Sequence, residues 1–325
     1  MTAPLVSVVM AAHNGASALR ETLQSILYQQ GVEIEVICVD DGSTDATREL
    51  LAAAVGRDSR VRALSQPHEG LTSALIRGCA AARGELIARQ DVGDRSLAGR
   101  LAVQAAWLRE DPAAAFVSCA TRVITEDGVP LYDVAREARR APRGTLPETT
   151  GWPGPSHHGA TMFRRDAYER VGGYRRAFGV AQDFDLWLRL LEAGDHVGLP
   201  EVLYEATFSP RSLSGAYRRE QMRNARIALA CARARRSGSS ETRLLAGCAP
   251  PPRTERELSS RRRAQAHYFI GACLRSRPVL ARRHFALAVR AWPLHLRSWA
   301  RLAAVTMTGA RTGRPSEAGP SGRRR

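Results

Sequence analysis

The sequence predicts an α/β protein built on a parallel sheet with helices on both faces, and three observations carry that expectation. Short β-branched runs alternate with stretches of helical periodicity through the first hundred residues. The first of these runs is apolar but for Ser7, as in strands buried on both sides. Polar clusters recur just after the runs, at the carboxyl ends of the strands, where open parallel sheets bind their ligands.

Val6-Ser7-Val8-Val9-Met10 is the first strand, and Ala16 to Gln30 follows as a helix with Leu19, Leu23, Ile26 and Leu27 on one side. Val36 to Val39 is the second strand, ending in Asp40-Asp41-Gly42-Ser43-Thr44-Asp45, after which Ala46 to Val55 is helical. Val61 to Leu64 gives a third strand, Leu71 to Arg83 a third helix, and Glu85 to Arg89 a fourth strand. The stretch from Glu126 to His158 is rich in Pro, Gly and Arg without a sustained period, so a long mobile connection is expected there. Order returns with a helix through Asp185 to Leu191 and a strand from His196 to Tyr204. The expected organisation is a sheet domain over 1–215, a basic helix over 216–236 and a linker over 237–260 that contains Pro250 to Pro252. A small repeat-like helical segment over 261–305 and a disordered basic tail over 306–325 complete it.

With 325 residues, 44% hydrophobic and 25% charged, the chain can bury a proper core, which excludes a disulfide miniprotein and a disordered chain. No run reaches the roughly 18–20 apolar residues of a membrane span, and Met1 to Met10 lacks the marks of a secretory signal, so a cytoplasmic location is expected. Six cysteines without a C-x-x-C pair read as small buried hydrophobes rather than as a zinc site or a disulfide framework. The net charge of +16 is unevenly spread. Residues 1–210 hold 22 arginines against 27 acids, whereas 211–325 hold 26 arginines against 5 acids. There is no lysine, so the permanently charged basic side chains are all Arg, which a GC-rich genome explains as well as guanidinium chemistry does.

Four clusters are candidates for chemistry. Asp40 to Asp45 fits a turn with Asp45 capping the next helix, or a ligand site, since two adjacent acids incur a repulsion that a turn does not require. Asp91 and Asp94 at a strand end suit a divalent cation bound through substrate phosphates, or an Asp-Gly turn. In Ser156-His157-His158, neighbouring histidines point apart on a strand, so one lines a polar site and the other is solvated. In Gln182-Asp183-Phe184-Asp185, one carboxylate serves the helix start and the other is free to act as a general base.

In this order, Val6 to Asn14, Val39 to Asp45, Glu69-Gly70-Leu71, Ala82 to Asp91, His158 with Met162 to Arg165, Gly172-Gly173-Tyr174 and Gln182 to Arg189 resemble the family 2 glycosyltransferases. The resemblance runs from Val6 to about Ser214 and implies the GT-A fold, a nucleotide-binding sheet domain of mostly parallel strands with helices on both faces. An α-helical C-terminal segment follows that domain. The family implies inverting transfer of a sugar from a nucleoside diphosphate sugar, with UDP as the first expectation, to an acceptor hydroxyl. Carried over by position, Ala11 and His13 face the nucleobase, Asp41 accepts its imide N–H, and Asp91 faces the ribose and a Mg²⁺ or Mn²⁺ ion. Asp183 falls at the base, with His158 and Asp185 on the acceptor side.

Two departures stand out. Gly93 occupies the second acidic position of the usual Asp-x-Asp, so that either Asp94 swings in as the metal ligand, or water replaces the lost ligand, or metal dependence is weak; and Gln182 stands where Glu is common. There is no Gln-x-x-Arg-Trp segment and no membrane helix, so addition of one sugar per encounter is expected, in synthesis of a surface glycan or polysaccharide. The Arg-rich second half suits an anionic membrane surface carrying a lipid-linked acceptor. Two other classes compete: a nucleic-acid-binding protein using that half, and a degenerate scaffold marked by Gly93. Few aromatics interleave with the arginines, and Asp41 and Asp183 are both present, so the enzyme leads.

Overall fold

The structure, a computed structural model, describes residues 5–134, 138–150, 154–209, 217–248 and 259–311, with the backbone alone over 306–311. They fall into two compact units, one within Met1–Glu255 and one within Arg256–Arg325. The first unit opens as β1 (Leu5–Ala12), α1 (Ala16–Leu27), β2 (Glu33–Asp41), α2 (Thr47–Arg57), β3 (Val61–Gln66), α3 (Leu71–Ala80) and β4 (Leu86–Arg89). It continues with β5 (Arg95–Ser96), α4 (Arg100–Glu110), β6 (Ala114–Ile124), β7 (Pro130–Val134) and β8 (Arg139–Ala141). A 3₁₀ turn at His158–Ala160 leads into β9 (Thr161–Arg164), α5 (Arg165–Arg170), α6 (Gln182–Ala193) and β10 (Asp195–Thr207), and then α7 (Arg218–Arg236) and α8 (Thr242–Leu245).

The ten strands form one sheet, ordered β3-β2-β1-β4-β9-β6-β10-β5, with β7 beside β6 and β8 beside β10. The β3-β2-β1-β4 half is parallel, while β9 runs antiparallel to both β4 and β6 and joins that half to the rest. Residues two apart on a strand share a face. Val6, Val8 and Met10 of β1 therefore pack with Leu19, Leu23 and Ile26 of α1 and Leu101 and Leu108 of α4. Val9 points the other way, into Leu75 and Cys79 of α3 and Leu186 and Leu190 of α6. Helices cover both faces, as the alternation predicts.

One polar group crosses this core. Glu35 of β2 is 2% exposed and accepts from Ser7 Oγ and Arg83 N at 2.7 Å, Arg83 Nε at 2.9 Å and Arg62 Nη1 at 3.0 Å. Burial pushes its pKa up, but these donors outweigh it and hold the carboxyl below its ordinary value.

Two expectations are corrected. Glu126 to His158 is not an unpatterned connection throughout, since it contributes β7 and β8. Both are largely exposed edge pieces bound through backbone pairing, which leaves no hydrophobic period to read. The expected tail begins too early, because a helix runs on through Arg311; residues 312–325 and the triple proline lie outside the described residues. The basic helix α7 packs on α6 through Phe178, Leu188, Ala228 and Ala232, and Arg235 pairs with Glu192 at 2.6 Å and Glu241 at 2.7 Å.

The second unit holds α9 (Ser260–Cys273), α10 (Pro278–Ala291) and α11 (Leu296–Arg311). Ser259 caps α9 by accepting from Arg262 N, and Pro278 opens α10, where its missing N–H costs nothing. Ala264, Ile270, Ala281, Phe285 and Ala288 form its buried contacts.

Candidate active site

The site lies at the carboxyl ends of β1, β2 and β4, where β1 is flanked by partners on both sides. The loops after β1 and β2 interlock. Asn14 Oδ1 accepts from Thr44 N at 2.9 Å, Ser43 Oγ from Asn14 N at 3.0 Å, and Asp45 Oδ2 from Ala16 N at 3.1 Å. Asp40 is buried and takes Ser43 N at 3.0 Å, while Asp45 Oδ1 takes Thr47 N at 3.0 Å, so both acids serve the turn. Asp41 does something else. Its side chain points to the loop entering α3, accepting from Gln66 Nε2 at 2.8 Å and from the Glu69 and Gly70 amides at 2.9 Å. His68 Nδ1 is 3.0 Å from Asp41 Oδ2, and the His68 ring stacks on His13 with centroids 4.0 Å apart. Ala11, partly buried, sits two residues before His13 on β1, paired with Val39.

The second cluster gathers Asp91, Asp94 and His157, each offering a ligand atom, all within 4.8 Å of one another. His157 Nδ1 is 3.9 Å from Asp91 Oδ2 and 3.7 Å from Asp94 Oδ2. Between the carboxylates Gly93 adopts φ 99°, its N–H donating to Thr22 Oγ1 at 2.9 Å and its carbonyl accepting from Thr207 Oγ1 at 2.6 Å. This turn brings Asp94 round to the cluster, where Tyr204 Oη and Thr207 N each donate to it at 2.8 Å. Burial raises the pKa of Asp94 to about 6, and the charge of Asp91 adds to the rise. Burial acts the same way on Asp91, but the Arg89 guanidinium, ion-paired with it, brings its pKa to about 2.

A buried layer of basic and aromatic groups holds this cluster. Arg89 and Arg100 are fully buried. Arg89 Nη1 donates to the Val9 and Gln90 carbonyls at 2.7 and 2.8 Å, fixing the strand end from which Asp91 projects. Arg100 donates to Gly159 O at 2.6 Å and to Arg89 O at 2.8 Å, and its guanidinium lies over the Tyr204 ring at 4.8 Å. Gly159 is where this packing is tightest: a Cβ there would stand 1.9 Å from Tyr204 Oη.

Asp183 opens α6, its Oδ1 accepting from Phe184 N at 2.8 Å. Burial raises its pKa, and the charges of His157 and Asp91 both act on it, which ties it electrostatically to the second cluster. The two residues expected beside an acceptor are placed otherwise. Asp185 is 1% exposed and clamped between Arg175, whose Nε lies at 3.0 Å, and Arg189, whose Nη2 lies at 2.6 Å. Its acceptor capacity is spent inside the fold. His158, expected to line a polar site or to be solvated, is buried against Tyr174 and Trp187, with Nε2 2.7 Å from Tyr174 Oη and 3.3 Å from Arg89 Nε. Arg89 can only donate, so Nε2 carries the lone pair. Burial keeps the ring neutral by lowering its pKa well below the usual value. It is His157 that turns toward the carboxylates.

Residues 7–172 match the glycosyl transferase family 2 description. The chain is 34% identical over 221 residues to the putative glycosyltransferase EpsE of Bacillus subtilis (strain 168), covering 66% of this chain and 76% of that relative. The chain belongs to glycosyl transferase family 2. This glycosyltransferase is also 28% identical over 204 residues to a chondroitin synthase of Pasteurella multocida (strain Pm70), where the match spans 62% of this chain and 20% of the other. Among solved structures, S. aureus TarS 1-349 in complex with UDP superposes with TM-score 0.55 at 18% identity, covering 98% of this chain and 93% of TarS. Its complex with UDP-GlcNAc gives 0.57 at 16% identity. These likenesses establish the fold.

A divalent cation suits the second cluster of this glycosyltransferase. The two carboxylates are hard donors suited to Mg²⁺ or Mn²⁺, the imidazole favours Mn²⁺ of the two, and a dication would offset the Asp91 charge that adds to the raised pKa of Asp94. His68, His157, Tyr204 and Arg100 carry no motif of their own. His157 could have been singled out only by knowing which side of the chain faces the sheet end.

Proposed function

We propose that this glycosyltransferase is an inverting, single-addition enzyme. It moves a sugar from a nucleoside diphosphate sugar to an acceptor hydroxyl during synthesis of a surface polysaccharide. The observation that carries the proposal is the shared end of the sheet, where Asp91, Asp94 and His157 stand together within the electrostatic reach of Asp183. The binding of UDP and UDP-GlcNAc by TarS supports a UDP-sugar as donor, and the name chondroitin synthase supports a polysaccharide product. Ala11, His13 and Asp41 form the nucleobase end. Asp91, Asp94 and His157 would hold Mg²⁺ or Mn²⁺, which when bound neutralises the diphosphate as it leaves. Asp183 takes the proton of the acceptor hydroxyl as that oxygen attacks the anomeric carbon. Its raised pKa strengthens it as a base, and no covalent sugar–enzyme bond is needed.

Incubation with UDP-sugars, Mn²⁺ and an acceptor panel tests this. Asp183→Asn should lower turnover by about 10²–10⁴-fold while leaving UDP binding intact, with products of inverted anomeric configuration and one added sugar. Retained configuration, or full turnover by Asp183→Asn, overturns the mechanism.

The same proposal places the enzyme at an anionic membrane surface carrying its acceptor. Among the described residues no helix is long and apolar enough to cross a membrane. Residues 259–311 carry eleven arginines and no acid, and Leu294, Leu296 and Trp299 are exposed among them. Each basic group contributes about 1 kcal/mol near such a surface. Sedimentation with phosphatidylglycerol vesicles, reversed by salt, is expected; sedimentation with neutral vesicles alone, or with none, removes the membrane from the proposal.

A further inference from the structure

The Asp41 carboxylate has two acceptor positions on each oxygen; three are taken, and His68 Nδ1 stands beside the fourth. Oδ1 accepts from Gln66 Nε2 and Glu69 N, and Oδ2 from Gly70 N, with His68 Nδ1 at 3.0 Å from Oδ2. Three of these partners are fixed, since two are backbone amides and Gln66 is buried. The fourth is a side chain that is 40% exposed. His68 also lies against the face of His13, with an interplanar angle of 23°, and both rings turn Nδ1 to the Asp41 carbonyl, at 2.9 Å for His13 and 3.1 Å for His68.

His68 thus stands where a planar heterocycle with an N–H edge would stand here, its face stacked on His13 and its Nδ1 beside the Asp41 carboxylate. We infer that the His68 imidazole occupies the place of the donor's nucleobase, and that nucleotide binding requires it to swing out. The inference rests on the proposed assignment of His13 and Asp41 to the nucleobase. With His68 in place its ring blocks the approach to the remaining acceptor position of Asp41, and the face of His13 is covered. Glu69 N and Gly70 N stay on Asp41, so the exchange is a rotation of one exposed side chain with the loop unmoved. The donor's apparent affinity is then divided by the fraction of molecules in which His68 is out.

The test is calorimetric titration of the full chain with UDP in the presence of Mn²⁺, for the wild type, His68→Ala, His13→Ala and Asp41→Asn. The expected result is UDP binding about three- to tenfold tighter in His68→Ala, the factor set by the closed fraction. His13→Ala and Asp41→Asn should bind more weakly. If Asp41→Asn fails to fold because its amide partners are orphaned, His13→Ala still reports, since it removes only the stacking face. Weaker or unchanged binding in His68→Ala, with His13→Ala impaired, overturns the plug and leaves the nucleobase site standing. Unchanged binding in both His13→Ala and Asp41→Asn overturns the nucleobase assignment itself, and the plug with it.

Discussion

Replacing Gly93 by Asp restores the usual Asp-x-Asp spelling to the loop after β4, and the structure predicts a loss of stability with no gain of function. Gly93 has φ 99°, and an added Cβ would meet nothing nearer than Ala18 Cβ at 4.0 Å, so crowding contributes nothing. The backbone term remains. An L-residue in a left-handed conformation costs about 1–2 kcal/mol. Part of this, about 0.4–1 kcal/mol, is offset because the unfolded chain loses the freedom of glycine. The net cost is about 1 kcal/mol, or about 2–4 °C in Tm for a unit of this size. The second carboxylate is already supplied by Asp94, fixed by Tyr204 Oη and Thr207 N at 2.8 Å. Mn²⁺ affinity and turnover in Gly93→Asp should therefore match the wild type, while Asp94→Ala abolishes both in either background. Differential scanning fluorimetry, Mn²⁺ titration and steady-state transfer read these three quantities. Tighter Mn²⁺ binding by Gly93→Asp, or its rescue of Asp94→Ala, would refute the assignment of Asp94 as the replacement ligand.

Gly159→Ala drives a Cβ to within 1.9 Å of Tyr204 Oη and 2.4 Å of its Cζ, an overpacking that costs about 1–3 kcal/mol. Because the displaced phenol also lets go of Asp94, Mn²⁺ affinity should fall together with Tm; a normal Mn²⁺ titration in this variant would mean that Tyr204 does not set the position of Asp94. Glu35 gives a pH dependence. Its folded pKa lies below the ordinary 4.5, so its contribution is complete above that value and is lost as pH falls through the folded pKa. Glu35→Gln should lower Tm at neutral pH by the equivalent of about 1.5–3 kcal/mol and flatten the acid side of the stability profile; an unchanged acid limb would contradict this.

The parallel half of the sheet was legible because each strand there is followed by its own helix, so period and punctuation sit close together in the sequence. The stretch from Gly93 to His158 was not. α4 buries Arg100 and Gln104 beside Leu101, Ala105 and Leu108 and exposes Val103 and Trp107, which blurs the pattern that marks a surface helix. Asp41, Asp91 and Asp183 stand out in the sequence because carboxylates at strand ends and helix starts are uncommon enough to notice. Asp185 was misplaced for the same reason: its acidity was visible, but not the Arg175 and Arg189 that enclose it. His157 and His158 are equivalent in sequence, and only the 3₁₀ turn decides which faces the carboxylates and which is buried against Tyr174 and Trp187.

β10 contributes Tyr204 and Thr207 to Asp94 across sequence separations of 110 and 113 residues. It is also the last strand of the sheet in chain order. The parallel β1–β4 half lies within the first 89 residues of the chain, whereas β10, which pairs with β6 and β5, begins only at Asp195. A nascent chain can therefore present the proposed nucleotide end of the fold long before Asp94 has acquired its donors. On the proposed assignment, the ability to hold a cation arrives with the final strand, so a truncated or stalled chain would have half a pocket and no chemistry.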